Sequence, residues 1–516
     1  MADPGALVAL VGGIVAAGLA ALRWLRIVQR DQYYPAALRF ARRWWLGVPL
    51  NVVLAGFALA GAVFVLITPW IGLLTAAVVA LGPLGLSLRG RTAPLVWSRR
   101  MVRLAIVLGA LNLLLLSAVA LGGALIGLEL LTAGAIGATW LAFAQPLVVD
   151  LATGLSAPLE RRLMGTFVER ASRRLAQVAP TVVAITGSYG KTSTKGYVRH
   201  LLATSRSVVA SPASYNNTGG LSRAINEHLV PGTEVFVAEM GTYGRGEIRE
   251  LCRWIKPDVA VLTAIGPVHL ERMGSLDAIV EAKSEIFERA ETCVINVDAH
   301  GLAALADALA AHRTVWRCSE KDAGADVVAA LDDAGRLRVT LRGSELVVLE
   351  GPSAQAINVA CAVAVALALA VAPEQVAQLL PTLPSAEHRL QVASATNGAT
   401  VIDDTYNSNP AGARAALAAL QRQPAGRRVL VTPGMIELGS IQAAENEELA
   451  RVAAASVDDL LIVNRINRAA LLAGAAGGRA NVQVFDRREE AVAWVRANLG
   501  RGDAVLYEND LPDTYP

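Results

Sequence analysis

The residues in this chain whose types and spacing could do chemistry begin at Thr186-Gly187-Ser188-Tyr189-Gly190-Lys191-Thr192-Ser193. The apolar, β-branched run before them, Val182 to Ile185, predicts a buried strand, and Lys191 and Thr192 open a helical pattern. A strand, a glycine turn and a helix N-terminus together make an anion cradle, because free backbone N–H groups point inward and the helix dipole favours negative charge. In such a cradle Lys191 reaches the β/γ-phosphates and the Thr192 hydroxyl ligates Mg²⁺. An ordinary glycine turn with a surface lysine is the plainer alternative, and the strand–loop–helix context speaks against it. The usual nucleotide loop reads Gly-x-x-x-x-Gly-Lys; here only Ser188 and Tyr189 separate Gly187 from Gly190-Lys191. The spacing predicts a nucleoside-triphosphate site with a shortened loop.

Two further residues fall where such a site needs them, and a third is read from its pattern alone. Glu239 ends the apolar run Val235–Ala238, and a carboxylate at a strand tip beside a phosphate loop can hold the Mg²⁺ of bound ATP. His269, in Ile-Gly-Pro-Val-His-Leu-Glu, follows the next strand and would project from the same sheet edge, as a metal ligand or as a hydrogen-bonding residue. Lys283 lies on a helical pattern, and by pattern alone is a surface lysine with an i,i+4 partner.

The elements that must position these residues divide the 516-residue chain. Its hydrophobic fraction, 54%, is high for a soluble protein, and the excess lies before residue 150. Five apolar segments, about 6–22, 47–69, 70–88, 104–126 and 130–149, approach the ~20 residues that cross a bilayer. Gly122, Gly123 and Glu129 suggest a break between the last two. Arginines cluster between the first and second segments (Arg23 to Arg43) and between the third and fourth (Arg89 to Arg103), whereas the other two connections hold no Lys or Arg. By the positive-inside rule this predicts a multi-pass protein of the cytoplasmic membrane, with the N-terminus outside and everything after Asp150 in the cytoplasm. The stretch 23–46, with Tyr33, Tyr34, Trp44 and Trp45 among arginines, reads as interfacial. The region is either a plain anchor or a docking site for a lipid-linked substrate. A formal charge of +3 gives no argument for nucleic acid, and Cys252, Cys293, Cys318 and Cys361 read as reduced, buried thiols.

After a charged helical connector (150–180), short apolar runs alternate with amphipathic segments, which predicts an α/β architecture. The expectation is an α-helical membrane domain (1–149), a P-loop parallel-sheet ATPase domain (181–384) and a smaller Rossmann-like C-terminal domain (385–516).

Residues 181–516 resemble the Mur ligases, ATP-dependent amide-forming enzymes of peptidoglycan precursor synthesis, and within them the branch that adds D-alanyl-D-alanine. The resemblance rests on several motifs in order: Thr186–Ser193, Asn216-Asn217-Thr-Gly-Gly220, Glu239-Met-Gly241, Gly266-Pro-Val-His-Leu-Glu271, Ala282-Lys-Ser-Glu-Ile-Phe287, His388-Arg-Leu-Gln391 and Asp403-Asp-Thr-Tyr-Asn-Ser-Asn-Pro410. It implies that Gly187, Ser188, Tyr189, Gly190, Lys191, Thr192 and Ser193 cradle ATP, and that Thr192 and Glu239 hold one Mg²⁺. It further implies a second Mg²⁺ held by His269 with Lys283 as an N-carboxylated lysine. Asn217 would lie near the acyl phosphate, Asn296 and Asn358 near adenine, and Arg389 and Asp404 near the γ-phosphate and ribose. The substrates implied are a muropeptide-like carboxylate, small or lipid-linked, and an amine (an amino acid or dipeptide).

The chain also departs from the family. Apolar segments stand where a UDP-sugar-binding domain is expected. Ala354-Gln355 replaces His-Asn, Pro433-Gly434-Met435 replaces Gly-Asp-Met, and Glu508-Asn509-Asp510 replaces a lysine-led glycine-serine loop. A poly-γ-glutamate-type synthetase is a second enzyme reading. A transporter driven by a P-loop ATPase is a third, and it lacks a Leu-Ser-Gly-Gly-Gln signature.

Overall fold

The computed structural model describes residues 4–88, 94–212, 215–350, 355–384, 391–395, 397–405 and 409–511. The chain divides into two compact units, residues 1–163 with 511–516, and residues 164–510.

The first unit is helical: Pro4–Arg30, Ala37–Gly47, Pro49–Phe64, Gly72–Leu81, Arg99–Leu125 and the start of Leu130–Val178. Three described helices are long and apolar enough to cross a membrane, or up to four if the bent pair Ala37–Gly47 and Pro49–Phe64 counts as one span. The expected span at 70–88 contains a helix of only 10 residues, Gly72–Leu81. Gly82-Pro83 follows it, and proline disfavours continued helix in the residue before it. The break expected near Gly122–Glu129 is present, whereas 130–149 and the connector form one helix of 49 residues. Within 23–46, Ala37–Gly47 is two-faced, burying Phe40, Ala41 and Trp44 while Arg39 and Arg42 face outward. Arg23 and Arg26 are instead buried. Arg23 donates to the carbonyls of Val79, Ala80 and Leu86, and Arg26 donates to that of Ser87. Arg23 thereby serves the carbonyls that the end of Gly72–Leu81 leaves unpaired.

The second unit is built on two sheets. The first has nine strands: β1 (Thr181–Thr186), β2 (Val208–Ala210), β3 (Val235–Glu239), β4 (Val259–Leu262), β5 (Thr292–Asn296), β6 (Thr314–Ser319), β7 (Val327–Leu331), β8 (Leu337–Leu341) and β9 (Ser344–Leu349). Their order is β2-β3-β1-β4-β5-β6-β7-β8-β9. β1 to β7 run parallel, but β8 and β9 join antiparallel, so the sheet is mixed rather than parallel throughout. The turns Asp332–Gly335 and Arg342-Gly343 carry the signal for that extension. The near-continuous apolar runs of β1, β3 and β4 fit strands covered on both faces. The helix Ala356–Ala368, apolar on all sides, is buried from Asn358 to Ala366. It packs in one cluster with Val198, Leu201 and Leu202 of the helix Lys191–Leu202, which fixes the helix that opens at the glycine loop. Ala171 and Leu175, from the last turns of Leu130–Val178, join the cluster that includes Val182 and Ala184.

The second sheet comprises β10 (Gln391–Ser394), β11 (Thr400–Asp404), β12 (Arg428–Thr432), β13 (Asp459–Val463), β14 (Asn481–Phe485) and β15 (Ala504–Glu508), ordered β10-β11-β15-β12-β13-β14. Only β10 is antiparallel.

Candidate active site

β1 lies between β3 and β4, so the loop that leaves it opens in the interior of the sheet's carboxyl edge, where open α/β sheets bind ligands. Two glycines are required there. A Cβ on Gly187 would lie 2.1 Å from Thr263 Oγ1, which itself donates to the Tyr189 carbonyl at 2.6 Å. Gly190 has φ +85° and would bring a Cβ to 2.3 Å from Asn358 Oδ1. Gly190 then caps the helix Lys191–Leu202 without a side-chain hydrogen bond. Ser188 ties the loop down: its hydroxyl donates to the Gly266 carbonyl at 3.2 Å and accepts from the Gly266 N–H at 3.0 Å. Ser193 is buried in the first turn of the helix.

Charged side chains converge on this loop. Lys191 Nζ donates to the Gly187 carbonyl at 2.8 Å, and Lys283 Nζ donates to the same oxygen at 3.2 Å. Lys283 is therefore not a surface lysine. Burial, then the neighbouring Lys191 charge, pushes its amine well below the ordinary lysine value.

Glu239, at the end of β3, is 1% exposed. Its Oε2 accepts from Thr192 Oγ1 at 3.0 Å and from Lys195 Nζ at 3.0 Å, while Oε1 accepts from Asn216 Nδ2 at 3.2 Å. Burial pushes this carboxyl up, but the Lys195 and Lys191 charges and the hydrogen bonds from Lys195 and Asn216 outweigh it and hold it below the usual range. The sequence reading missed Lys195, and it held Asn216 within a motif without a role. The i,i+4 spacing of Lys191 and Lys195 on one helix face was the available signal for the first. Asn217 instead caps the helix Thr218–His228, accepting from the Gly220 N–H at 2.9 Å.

His269, in the left-handed region at φ +65°, makes a 2.7 Å contact through Nδ1 with Glu437 Oε2, on the loop after β12. The Tyr243 ring lies 4.9 Å from its own. The edges of the two sheets are thus linked at the loops after β4 and β12. Asn296 is held by backbone, donating to the Thr263 carbonyl and accepting from the Asp298 N–H. Asn358 lies against the glycine loop and donates to Gln355 Oε1 at 2.8 Å. Arg389 lies outside the described residues. Asp404 ends β11 beside Glu508, its register partner on β15.

Among the described residues, no group of three or more His, Cys, Asp and Glu side chains stands together as a metal cage. Thr192 and Glu239 do offer a hydroxyl and a carboxylate at one point, the hard oxygen donors that suit Mg²⁺ when phosphates complete its shell.

Comparison with known proteins places this geometry. The Mur ligase middle domain matches residues 185–366, and the Mur ligase glutamate ligase domain matches residues 388–507. The UDP-N-acetylmuramoyl-tripeptide--D-alanyl-D-alanine ligase of Mycobacterium bovis is 33% identical over 359 residues, covering 63% of this chain and 69% of that one. The crystal structure of MurF from Acinetobacter baumannii superposes with a TM-score of 0.59 at 26% identity, over 67% of this chain and 77% of that one. The MurF ligase from Thermotoga maritima in complex with ADP gives a TM-score of 0.56 at 26% identity, over 67% and 80%.

Proposed function

This chain belongs to the Mur ligase family of ATP-dependent amide-forming ligases, and we propose that it joins a carboxylate of a peptidoglycan precursor to an amine at the cytoplasmic face of the cell membrane. The observation that carries this reading is the convergence on one glycine loop: Lys191 and Lys283 on the Gly187 carbonyl, and Thr192 on Glu239. The Thermotoga maritima relative was solved in complex with ADP, which supports the use of an adenine nucleotide. In this reading residues 181–384 form a P-loop-type ATPase domain and 385–516 the domain that delivers the amine.

The loop amides and Lys191 bind and orient the β/γ-phosphates, and the roles left to Arg389 and Asp404 are contacts to the γ-phosphate and ribose. Asn217 lies toward the acyl phosphate, and Asn296 and Asn358 border the adenine end. A carboxylate oxygen of the acceptor attacks the γ-phosphorus, the bond to the β–γ bridging oxygen breaks, and ADP leaves. The neutral amine then attacks the acyl carbon, inorganic phosphate departs with the bonding pair, and the amine nitrogen loses its proton to give the amide. Mg²⁺ held at Thr192 and Glu239 supplies neutralisation of phosphate charge.

Lys283 suits carbamylation because burial favours its uncharged amine, the form that adds CO₂. The carbamate would offer an oxygen ligand to a second Mg²⁺, with His269 contributing Nε2 while Nδ1 pairs with Glu437. Metal-bound histidines commonly use that carboxylate arrangement. The apolar helices hold the enzyme in the membrane, N-terminus outside, where an acceptor tethered by its own lipid needs no UDP handle.

The test is product formation by full-length protein in lipid, offered ATP, Mg²⁺, UDP-linked or lipid-linked muropeptides and candidate amines. ADP release that requires both acceptor and amine, with a product mass equal to their sum less water, is the expected result. ADP release indifferent to every carboxylate would remove the reading.

A further inference from the structure

Lys195 has no part in the reaction just described, yet it occupies a decisive place. It lies one turn beyond Lys191 on the same helix, its side chain is 7% exposed, and its ammonium is 3.0 Å from Glu239 Oε2. That oxygen is the one that also receives the Thr192 hydroxyl, whereas Oε1 is turned to Asn216. A cation that uses Thr192 and Glu239 together must therefore share or displace an ammonium already seated on the shared oxygen. The local charge points the same way. Lys191 and Lys195 bring two positive charges against one carboxylate, in a buried setting where screening by water and salt is weak. A bare divalent cation meets net repulsion there, whereas a triphosphate reverses the sign and supplies the remaining oxygens.

We propose that Lys195 is a positioning residue that gates the metal. It occupies the Glu239 oxygen that Thr192 also reaches, so that a divalent ion enters only together with a nucleoside triphosphate. This rests on the reading of Thr192 and Glu239 as metal ligands. The competing account is a static ion pair that merely ties the helix Lys191–Leu202 to β3.

The two separate in a Mn²⁺ titration of the full-length protein in lipid, read by electron paramagnetic resonance with and without a non-hydrolysable ATP analogue. For the unaltered protein we expect saturable Mn²⁺ binding with the analogue and none at comparable concentrations without it. Lys195→Met, similar in length and uncharged, should gain nucleotide-independent Mn²⁺ binding by about 10-fold or more, since a tenfold change corresponds to a modest share of a buried charge pair. Lys195→Arg should restore the nucleotide requirement. A purely structural lysine predicts the opposite for Lys195→Met, namely weaker binding in every condition. Equal Mn²⁺ affinity with and without nucleotide in the unaltered protein would overturn the proposal, and that arm needs no variant to fold. Glu239→Gln tells the two readings apart. If it keeps nucleotide-dependent Mn²⁺ binding, the metal-ligand assignment fails. If it loses that binding while folded Lys195→Met behaves like the unaltered protein, only the gate fails.

Discussion

Glu239 and Glu508 hold equivalent places in the two sheets of the second unit and have opposite chemistry. Each is the last residue of a parallel strand, and they are 1% and 0% exposed. Glu239 faces Lys195, Lys191, Thr192 and Asn216, and stays ionised despite burial. Glu508 has no such company. Burial, reinforced by the neighbouring Asp404, pushes its carboxyl up to about 8, and the Thr432 hydroxyl hydrogen bond offsets this only in part. Among the described residues its Oε1 finds no hydrogen-bond partner. The loop beside it is wrapped by amides instead: Asn446, Asn467 and Asn509 all donate to carbonyls of Pro433–Met435. A strand tip therefore supplies a carboxyl, and the neighbouring helix decides its charge. The first sheet places lysines one turn apart where a glycine loop opens a helix, and the second sheet has nothing equivalent.

If the first edge is the phosphate site and the second is not, loss of a lysine there should dominate every other substitution. Lys191→Ala is expected to reduce ADP formation by about 10³-fold or more, in line with loss of a charged group from a preorganised site. Circular dichroism should remain unchanged, and near-normal turnover would detach this loop from catalysis. Lys283→Ala should cost about 10²–10³-fold by the same reasoning. Because a carbamate is the proposed working form, added short-chain carboxylates should recover part of that activity. A loss that no carboxylate relieves would leave Lys283 as a support for Gly187 alone.

The link between the edges can be tested next. His269→Gln and Glu437→Gln should each lower kcat/KM by about 10-fold, an energy typical of residues that interact directly. The double variant should be little worse than either single one. Additive losses would mean that the 2.7 Å contact does not act as a pair.

The sequence made the first edge legible and the second largely not, for physical reasons. A strand, two glycines and Lys191-Thr192 are contiguous, so local pattern fixed the loop and the strand that ends at Glu239. The partners of Glu239 are remote: Lys195 meets it because β1 and β3 pair in register, Ile185 opposite Glu239, and Asn216 because β2 pairs with β3 on its other side. Lys283 read as a surface residue because helical periodicity cannot report which face a sheet edge covers. β8 and β9 were missed although β8 alternates (Leu337-Arg338-Val339-Thr340-Leu341), because no helix separates them from β7 and the strand–helix rhythm that marks a parallel sheet stops there. In the helical unit, hydropathy marked 70–88 as long enough to span. Gly82-Pro83 cuts the helix after Leu81, and the arginines that read as interfacial include Arg23 and Arg26, which are spent on backbone carbonyls.

The contrast between the two carboxyls also predicts a stability effect of opposite sign to the usual acidic residue. An unfolded glutamate titrates near its ordinary value of about 4.3, whereas Glu508 in the fold keeps its proton up to about 8. Between those values the folded state binds more protons than the unfolded one, so stability falls as pH rises through that window. Below the window both states are protonated and the penalty vanishes. Glu508→Gln removes the ionisation while keeping a group that can accept from Thr432. It should leave the melting temperature near pH 4 almost unchanged and raise it by a few degrees near pH 8, at roughly 2–4 °C per kcal/mol for a domain of this size. Glu239→Gln should show no such gain at pH 8, because it strips a favourable partner from Lys195. Thermal unfolding of both variants across that pH range checks the pair. An equal shift for Glu508→Gln at both ends would mean that packing, and not the proton, distinguishes the two strand tips.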